Sequence, residues 1–258
     1  MKQNWPELLE PVLKKAGVIL MSYYNKPLHH KEKANEGFVT EADIASERFL
    51  IEQLSHIFPE AGIWSEEAGK TRKNNTSEYY WVIDPLDGTT NFAHGLPYFC
   101  VSVALTYKQT PIIGAIYQPL TDEFFYAERE KGAFLNRVPI QVSSPEQFSK
   151  AIIAIGLPYR HDQQNSLITH AHAIITDAYA VRHFGAIALD LAYVACGKLD
   201  GVFLTHLKWW DVAAGVALIE IAGGIITDFT QKPLTPDFKN AIAGGKMVHS
   251  HVLNLLSH

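Results

Sequence analysis

The sequence predicts an α/β (α+β) fold in which sheets, partly antiparallel, lie between layers of helix. Three observations carry this. Apolar residues recur at helical spacing in several segments, and short apolar, β-branched and aromatic runs bounded by turn residues lie between them. In the first half those runs come in hairpin-like pairs, which places antiparallel neighbours in a sheet covered by helices.

The elements follow in order. Residues 5–24 carry Leu8, Leu9, Val12, Leu13, Ala16 and Leu20 at helical spacing. A second helix is predicted over "TEADIASERFLIEQLSHIF" (40–58), with Ile44, Phe49, Leu50 and Leu54 apolar; Thr40 and Asp43 fit a capping box. "AGIW" (61–64) reads as a short strand and "TRKNNTSE" (71–78) as a polar loop. "YYWVI" (79–83) is a strand stopped by Pro85, which has no N–H for a ladder. "FCVSVALTY" (99–107) and "IIGAIYQ" (112–118) are strands joined by the turn "KQTP", and "EFFYAE" and "GAFLN" continue the strand-rich region. The turn composition of "QVSSPEQFSK" (141–150) divides one compact unit into an N-terminal half, 1–145, and a C-terminal half, 146–258. The second half reads as strand "AIIAIG", helices 166–179 and 186–196, strand "GVFL", helix 211–222, strands "GIITD" and "AIAGG", and a last helix from Val248.

With 258 residues, 47% hydrophobic and 19% charged, the chain has material for a sizeable core in one large domain or two intimately packed halves. A net charge of −5 without a basic block argues against nucleic acid or a membrane surface as the main partner. No apolar run approaches a membrane span, and the acidic opening "MKQNWPELLEPVLKK" lacks the apolar stretch of a secretory signal. Cys100 and Cys196 sit in apolar segments as reduced core residues, so a cytoplasmic setting is expected.

The chemistry concentrates in "WVIDPLDGTTNFAHGLP" (81–97). Asp84 and Asp87 lie three apart at a strand end, where desolvation and mutual repulsion are costly unless something positive sits between them. Gly88 permits positive φ, and Thr89, Thr90 and Asn91 suit a helix start whose N–H groups accept an anion such as phosphate. All candidate ligands are oxygen donors, which favours Mg²⁺, with Mn²⁺ or Ca²⁺ as alternatives. An Asx-turn with a helix cap would explain an isolated Asp-Gly, but not two aspartates around Pro-Leu followed by this run. Glu66 and Glu67 in "WSEEAG" would pass alone as a solvated charge pair, and Asp211 in "KWWDVAAGVALIEIAGG" as an N-cap. Each of the three acidic spots lies at a strand end or helix start, where functional groups gather.

Two of these stretches, "WVIDPLDGTTNFAHGLP" and "WDVAAGVALIEIAGG", closely resemble the signature motifs of the inositol monophosphatase family; "GFVTEADIASE", "WSEEAG" and "RHFGAIALDLAYVACGKLDGVF" resemble its other motifs in the expected order. The resemblance covers nearly the whole chain. It implies a layered α/β/α/β/α sandwich of the inositol monophosphatase/fructose-bisphosphatase type and a homodimer. It implies two or three Mg²⁺ ions per site, held by Glu66, Asp84, the Leu86 carbonyl, Asp87 and Asp211, with Li⁺ sensitivity. Asp43 and Thr89, with Glu66, would act catalytically on an attacking water. Asp87, Gly88, Thr89, Thr90, Gly185, Ala186 and Asp211 would contact substrate. The implied reaction is hydrolysis of a small phosphate monoester, inositol-1-phosphate first. Histidinol-phosphate, fructose-1,6-bisphosphate or a nucleotide phosphate are alternatives, and a non-catalytic regulator of RNA or transcription is the rival class.

Three departures bear on the substrate's organic part. Inositol-cleaving members usually carry Glu seven residues before the second-motif Asp; here Leu204 stands there and accepts no hydrogen bond. Ala186 replaces a common Ser or Thr, and Gly37-Phe38 replaces a common Asp before "VTE".

Overall fold

A computed structural model describes residues 3–26, 30–33, 37–71, 77–157 and 165–256; most of the expected polar loop, 72–76, lies outside the described residues. Two sheets alternate with three layers of helix. Helices α1 (Trp5–Tyr23) and α2 (Glu41–Ile57) cover one face of an eight-stranded sheet. Its strands are β3 (Gly62–Ser65), β4 (Gly69–Thr71), β5 (Tyr79–Asp87), β6 (Cys100–Tyr107), β7 (Thr110–Gln118), β8 (Glu123–Glu128), β9 (Gly132–Leu135) and β10 (Val138–Pro139), in the order β10-β9-β8-β7-β6-β5-β3-β4. Every pairing is antiparallel except β3 with β5.

The five-stranded sheet runs β12 (Ala180–Arg182), β11 (Ile152–Gly156), β13 (Gly201–Thr205), β15 (Asn240–Gly244), β14 (Ile225–Thr227), parallel at β12-β11-β13 and antiparallel beyond. Helices α5 (Ile187–Ala195) and α6 (Trp209–Ile221) fill the space between the sheets, and α4 (Asn165–Asp177) and α7 (Lys246–Leu255) close the far side. The result is the α/β/α/β/α sandwich that the family resemblance implies.

Alternation along each strand builds these layers, because successive side chains face opposite sides. Trp81 and Ile83 pack with Trp5, Leu9 and Leu13, while Val82 packs with the central helices. On β13, Val202 and Leu204 face that central layer and Phe203 faces α4 and α7. On α2 the buried stripe is Asp43, Ser46, Glu47, Leu50 and Leu54, and Ile44 is 57% exposed instead of packed. The "KQTP" turn closes the β6–β7 hairpin with Lys108 and Gln109 at φ 49° and 68°, as a tight hairpin requires. A two-stranded ribbon, β1 (His30–Lys33) with β2 (Gly37–Thr40), was not expected, since its sequence has no apolar alternation. Among the described residues no helix is long and apolar enough to cross a membrane.

The strand expected to stop at Pro85 runs on to Asp87. Asp84 pairs with Ser102 and Asp87 with Cys100, so three steps on β5 match two on β6: a β-bulge. Proline's missing N–H falls where the ladder is already interrupted.

Helix α6 lies against β7 at Gly114, where an added Cβ would stand 2.4 Å from the Ala214 carbonyl oxygen and 3.0 Å from the Ala217 Cβ. Backbone on both sides cannot yield cheaply. Gly114→Ala is expected to lower stability by about 1–3 kcal/mol, the usual cost of overpacking; urea unfolding measures it, and an unchanged midpoint would mean that the two layers slide apart easily.

Candidate active site

The bulge decides where the two aspartates of β5 point. Three residues apart on a regular strand, they would face opposite sides. One extra residue brings Asp84 and Asp87 opposite Ser102 and Cys100, which share a face with Ala104. Both carboxyls therefore turn toward the central helices, and both are buried.

Asp87 meets the N-terminus of α5. Its Oδ1 accepts from the Ile187 N–H at 3.0 Å, and its Oδ2 from Ala188 at 2.7 Å and Leu189 at 3.3 Å, with the Cys100 thiol at 3.5 Å. A carboxylate at the first turn satisfies amides that lack intrahelical partners. Burial nonetheless dominates and holds the Asp87 carboxyl up at about 6. Asp84 is pushed well above the carboxylate range by burial, then by repulsion from Glu66, Asp87 and Asp211, and only the Leu86 N–H at 3.1 Å opposes this.

Asp211 was expected to begin a helix. It is the third residue of α6, whose N-cap is Lys208. Trp209 and Trp210 add the first turn, and Asp211 Oδ2 accepts from the Lys208 N–H at 2.7 Å. Burial raises its pKa well above normal, and Asp87 and Glu66 add to the rise. Glu66 is half-buried just after β3, its N–H bonded to the Ile83 carbonyl at 3.2 Å. Glu66, Asp84, Asp87 and Asp211 thus lie within one another's electric field.

Asp43 occupies the predicted capping box. Its Oδ2 accepts from the Thr40 N–H at 2.8 Å and the Thr40 hydroxyl at 2.5 Å. The same carboxyl turns Oδ1 to the Thr89 hydroxyl at 3.1 Å, and Thr89 also lies 2.9 Å from the Leu86 carbonyl. One hydroxyl proton serves one of these acceptors at a time. Burial lifts Asp43 to about 6, against the hydrogen bonds from Thr40 and Thr89.

Gly88 is the N-cap of α3 (Thr89–Ala93) at φ 89°. A Cβ there would lie 2.9 Å from the Tyr98 carbonyl and 3.0 Å from the Ala186 Cβ, so only glycine fits. Ala186 is the buried N-cap of α5, and Gly185 at φ 82° lies beside Asn91. Asn91, half of whose work was invisible in the sequence, donates to the Tyr98 carbonyl at 2.8 Å and the Phe184 carbonyl at 2.7 Å, tying the first motif to the 184–186 segment. Thr90 is half-buried on the same turn. Asp190, not singled out from sequence, is buried with the Tyr98 hydroxyl 2.6 Å away. Ser46 and Glu47 were also missed; a polar residue in the buried stripe of an amphipathic helix is the signal that would have found them.

Among the described residues, no three Asp, Glu, His or Cys side chains stand in an arrangement that holds an ion as they are. Both oxygens of Asp87, for one, are engaged by α5. The donor set itself fits a hard divalent cation: carboxyl oxygens and one backbone carbonyl, buried, with repulsion that a cation would relieve.

A carboxyl whose pKa is raised by folding stabilises the fold while protonated. That contribution is complete below about 4 and is lost as pH rises through about 6 for Asp43 and Asp87, and higher for Asp84 and Asp211. In EDTA, Asp84→Asn is expected to be more stable than the parent at pH 7.5, with the gap closing at pH 5. The comparison isolates the site from His249, whose lowered pKa pulls the other way; urea midpoints at the two pH values test it, and a gap that widens at pH 5 defeats it.

The model of the inositol monophosphatase family matches residues 1–257. The inositol-1-monophosphatase of Synechocystis sp. is 34% identical over 265 residues, covering 99% of this chain and 89% of that protein. The Nus factor SuhB of Haemophilus influenzae is 36% identical over 244 residues, covering 93% and 91%. A crystal structure of the extragenic suppressor protein suhB from Bartonella henselae, 34% identical, superposes with a TM-score of 0.93 over 98% of each chain. With the family model matched along nearly the whole length, this chain belongs to the inositol monophosphatase family.

Proposed function

We propose that the protein is a Mg²⁺-dependent phosphatase of small phosphate monoesters, with inositol-1-phosphate its first-choice substrate. The observation that carries this reading is the mutual repulsion of Glu66, Asp84, Asp87 and Asp211 in a buried site beside the Gly88–Thr89 turn. Glu66, Asp84 and the Leu86 carbonyl would hold one ion, and Asp84, Asp87 and Asp211 a second, with a third near Glu66. When bound, such a pair of ions acidifies a water and neutralises the phosphoryl and leaving oxygens.

The chain's own residues supply the rest. The N–H groups of Gly88 and Thr89 bind phosphate oxygens, and Thr90, Gly185 and Ala186 shape the same turn. Thr89 passes a proton from the attacking water toward Asp43, whose carboxyl at about 6 is largely ionised at neutral pH and close enough to the operating range to receive it. Leu204 offers the organic part no acceptor, so histidinol-phosphate, fructose-1,6-bisphosphate and nucleotide phosphates stand as alternatives. A homodimer in the cytoplasm completes the reading. Relatives named Nus factor SuhB favour a second one, a regulator of RNA or transcription. A stoichiometric macromolecular partner retained by Asp84→Asn would favour it.

Phosphate release from a panel of these esters, with and without Mg²⁺, is the test. Inositol-1-phosphate is expected to give the highest kcat/KM, and no turnover of any ester would sink the proposal. Asp84→Asn should stay folded and lose more than about 100-fold in activity, beyond the loss typical of residues that merely support a metal ligand.

A further inference from the structure

One turn of α2 places three polar side chains in a stripe that continues as Leu50 and Leu54. Asp43, Ser46 and Glu47 are i, i+3 and i+4, on one helical face, and all are buried. Each reaches a different segment of the site. Asp43 meets Thr89. Ser46 donates to the Pro85 carbonyl at 3.0 Å, inside the bulge between Asp84 and Leu86. Glu47 Oε1 collects three donors: the Ser65 hydroxyl, the Glu67 N–H at 3.0 Å and the Ala68 N–H at 3.0 Å.

Ser65, Glu67 and Ala68 bracket Glu66 in the chain. The residue between them is therefore suspended from two sides, by its own N–H on the Ile83 carbonyl and by its neighbours on a single oxygen of Glu47. Packing does not call for a glutamate here, since an apolar residue would extend the stripe at no desolvation cost. What Glu47 supplies is three acceptor contacts in one place, and they fix the turn after β3.

We propose that Glu47 is a positioning residue: it holds the Ser65–Ala68 turn so that the Glu66 carboxyl is aimed at Asp84 and the ion they share. This rests on the metal-dependent reading above. Its role is indirect, through Glu66, and its signature is a weakened ion rather than a failed chemical step.

The test counts bound Mn²⁺ by the loss of the free-ion electron paramagnetic signal, on the full chain, alongside melting in EDTA. Glu47→Ala is expected to bind Mn²⁺ about 10-fold more weakly or worse, the size of effect seen when a ligand's support is removed. Glu47→Gln, which keeps an acceptor oxygen, should fall between, and both should approach parental kcat at saturating Mg²⁺. Parental Mn²⁺ affinity in both variants, with only the EDTA melting temperature lowered, would make Glu47 merely structural and overturn the proposal. If Glu47→Ala does not fold, Glu47→Gln decides alone, and unchanged affinity overturns it. A parent protein that binds no Mn²⁺ and cleaves no ester would overturn the phosphatase reading instead, which is a different result.

Discussion

The crowding of four carboxyl groups, those of Glu66, Asp84, Asp87 and Asp211, with Asp84 and Asp87 buried, is the constraint that the rest of the structure serves. Left to themselves, such groups would move apart or stay in water. Here their backbones forbid it. Asp84 and Asp87 are held on one face by a bulge that contains Pro85, Asp211 by the first turn of α6, and Glu66 by a turn laced to β5. Protein donors offset part of the cost: three α5 amides at Asp87, one amide each at Asp84 and Asp211. Burial still wins at each of the three, since their pKa values stay raised. A folded protein that keeps this arrangement has stability set aside for a cation to recover.

The layering explains how residues from distant parts of the chain meet. The central helices α5 and α6 touch both sheets, so Asp87 from the large sheet reaches α5 and Asp211 enters from α6. Close approach of those helices depends on small residues. At Gly215 an added Cβ would come within 2.4 Å of the Leu191 Cδ1, which a larger residue could not tolerate without moving the helix that carries Asp211.

Much of this was legible in the sequence. Helices α1 and α2, the β6–β7 hairpin and the capping box at Thr40 follow from spacing and turn chemistry alone, which are local effects. The bulge was not legible, because Pro85 reads as a stop when only the local ladder is considered. The strand continues because Asp87 finds its partner on β6, a tertiary fact. Ile44 reads as core by composition, yet the stripe rotates away from it, since Asp43, Ser46 and Glu47 have partners in β3, β5 and α3 that no periodicity displays. The ribbon β1–β2 has only backbone pairing to announce it. The bulge and the rotated stripe share a cause: buried polar groups whose partners lie far along the chain.

The same distinction separates the phosphate end of the site from the organic end. Asp43, Asp84, Asp87, Gly88 and Asp211 are each fixed by backbone: a cap, a bulge, a helix terminus, a glycine that nothing larger can replace. Their positions are set by the fold whatever the organic part of the substrate. Leu204 is different. It is fully buried on β13, its Cδ2 would lie 2.8 Å from a Cβ at Gly156, and it touches the shared core through hydrocarbon alone. No hydrogen bond ties that position to the carboxyl cluster, so its identity can drift without cost to the chemistry at phosphorus. On the phosphatase reading, a fully buried leucine gives the organic part no contact at this position, and hydroxyl recognition has to come from donors and acceptors elsewhere on the rim.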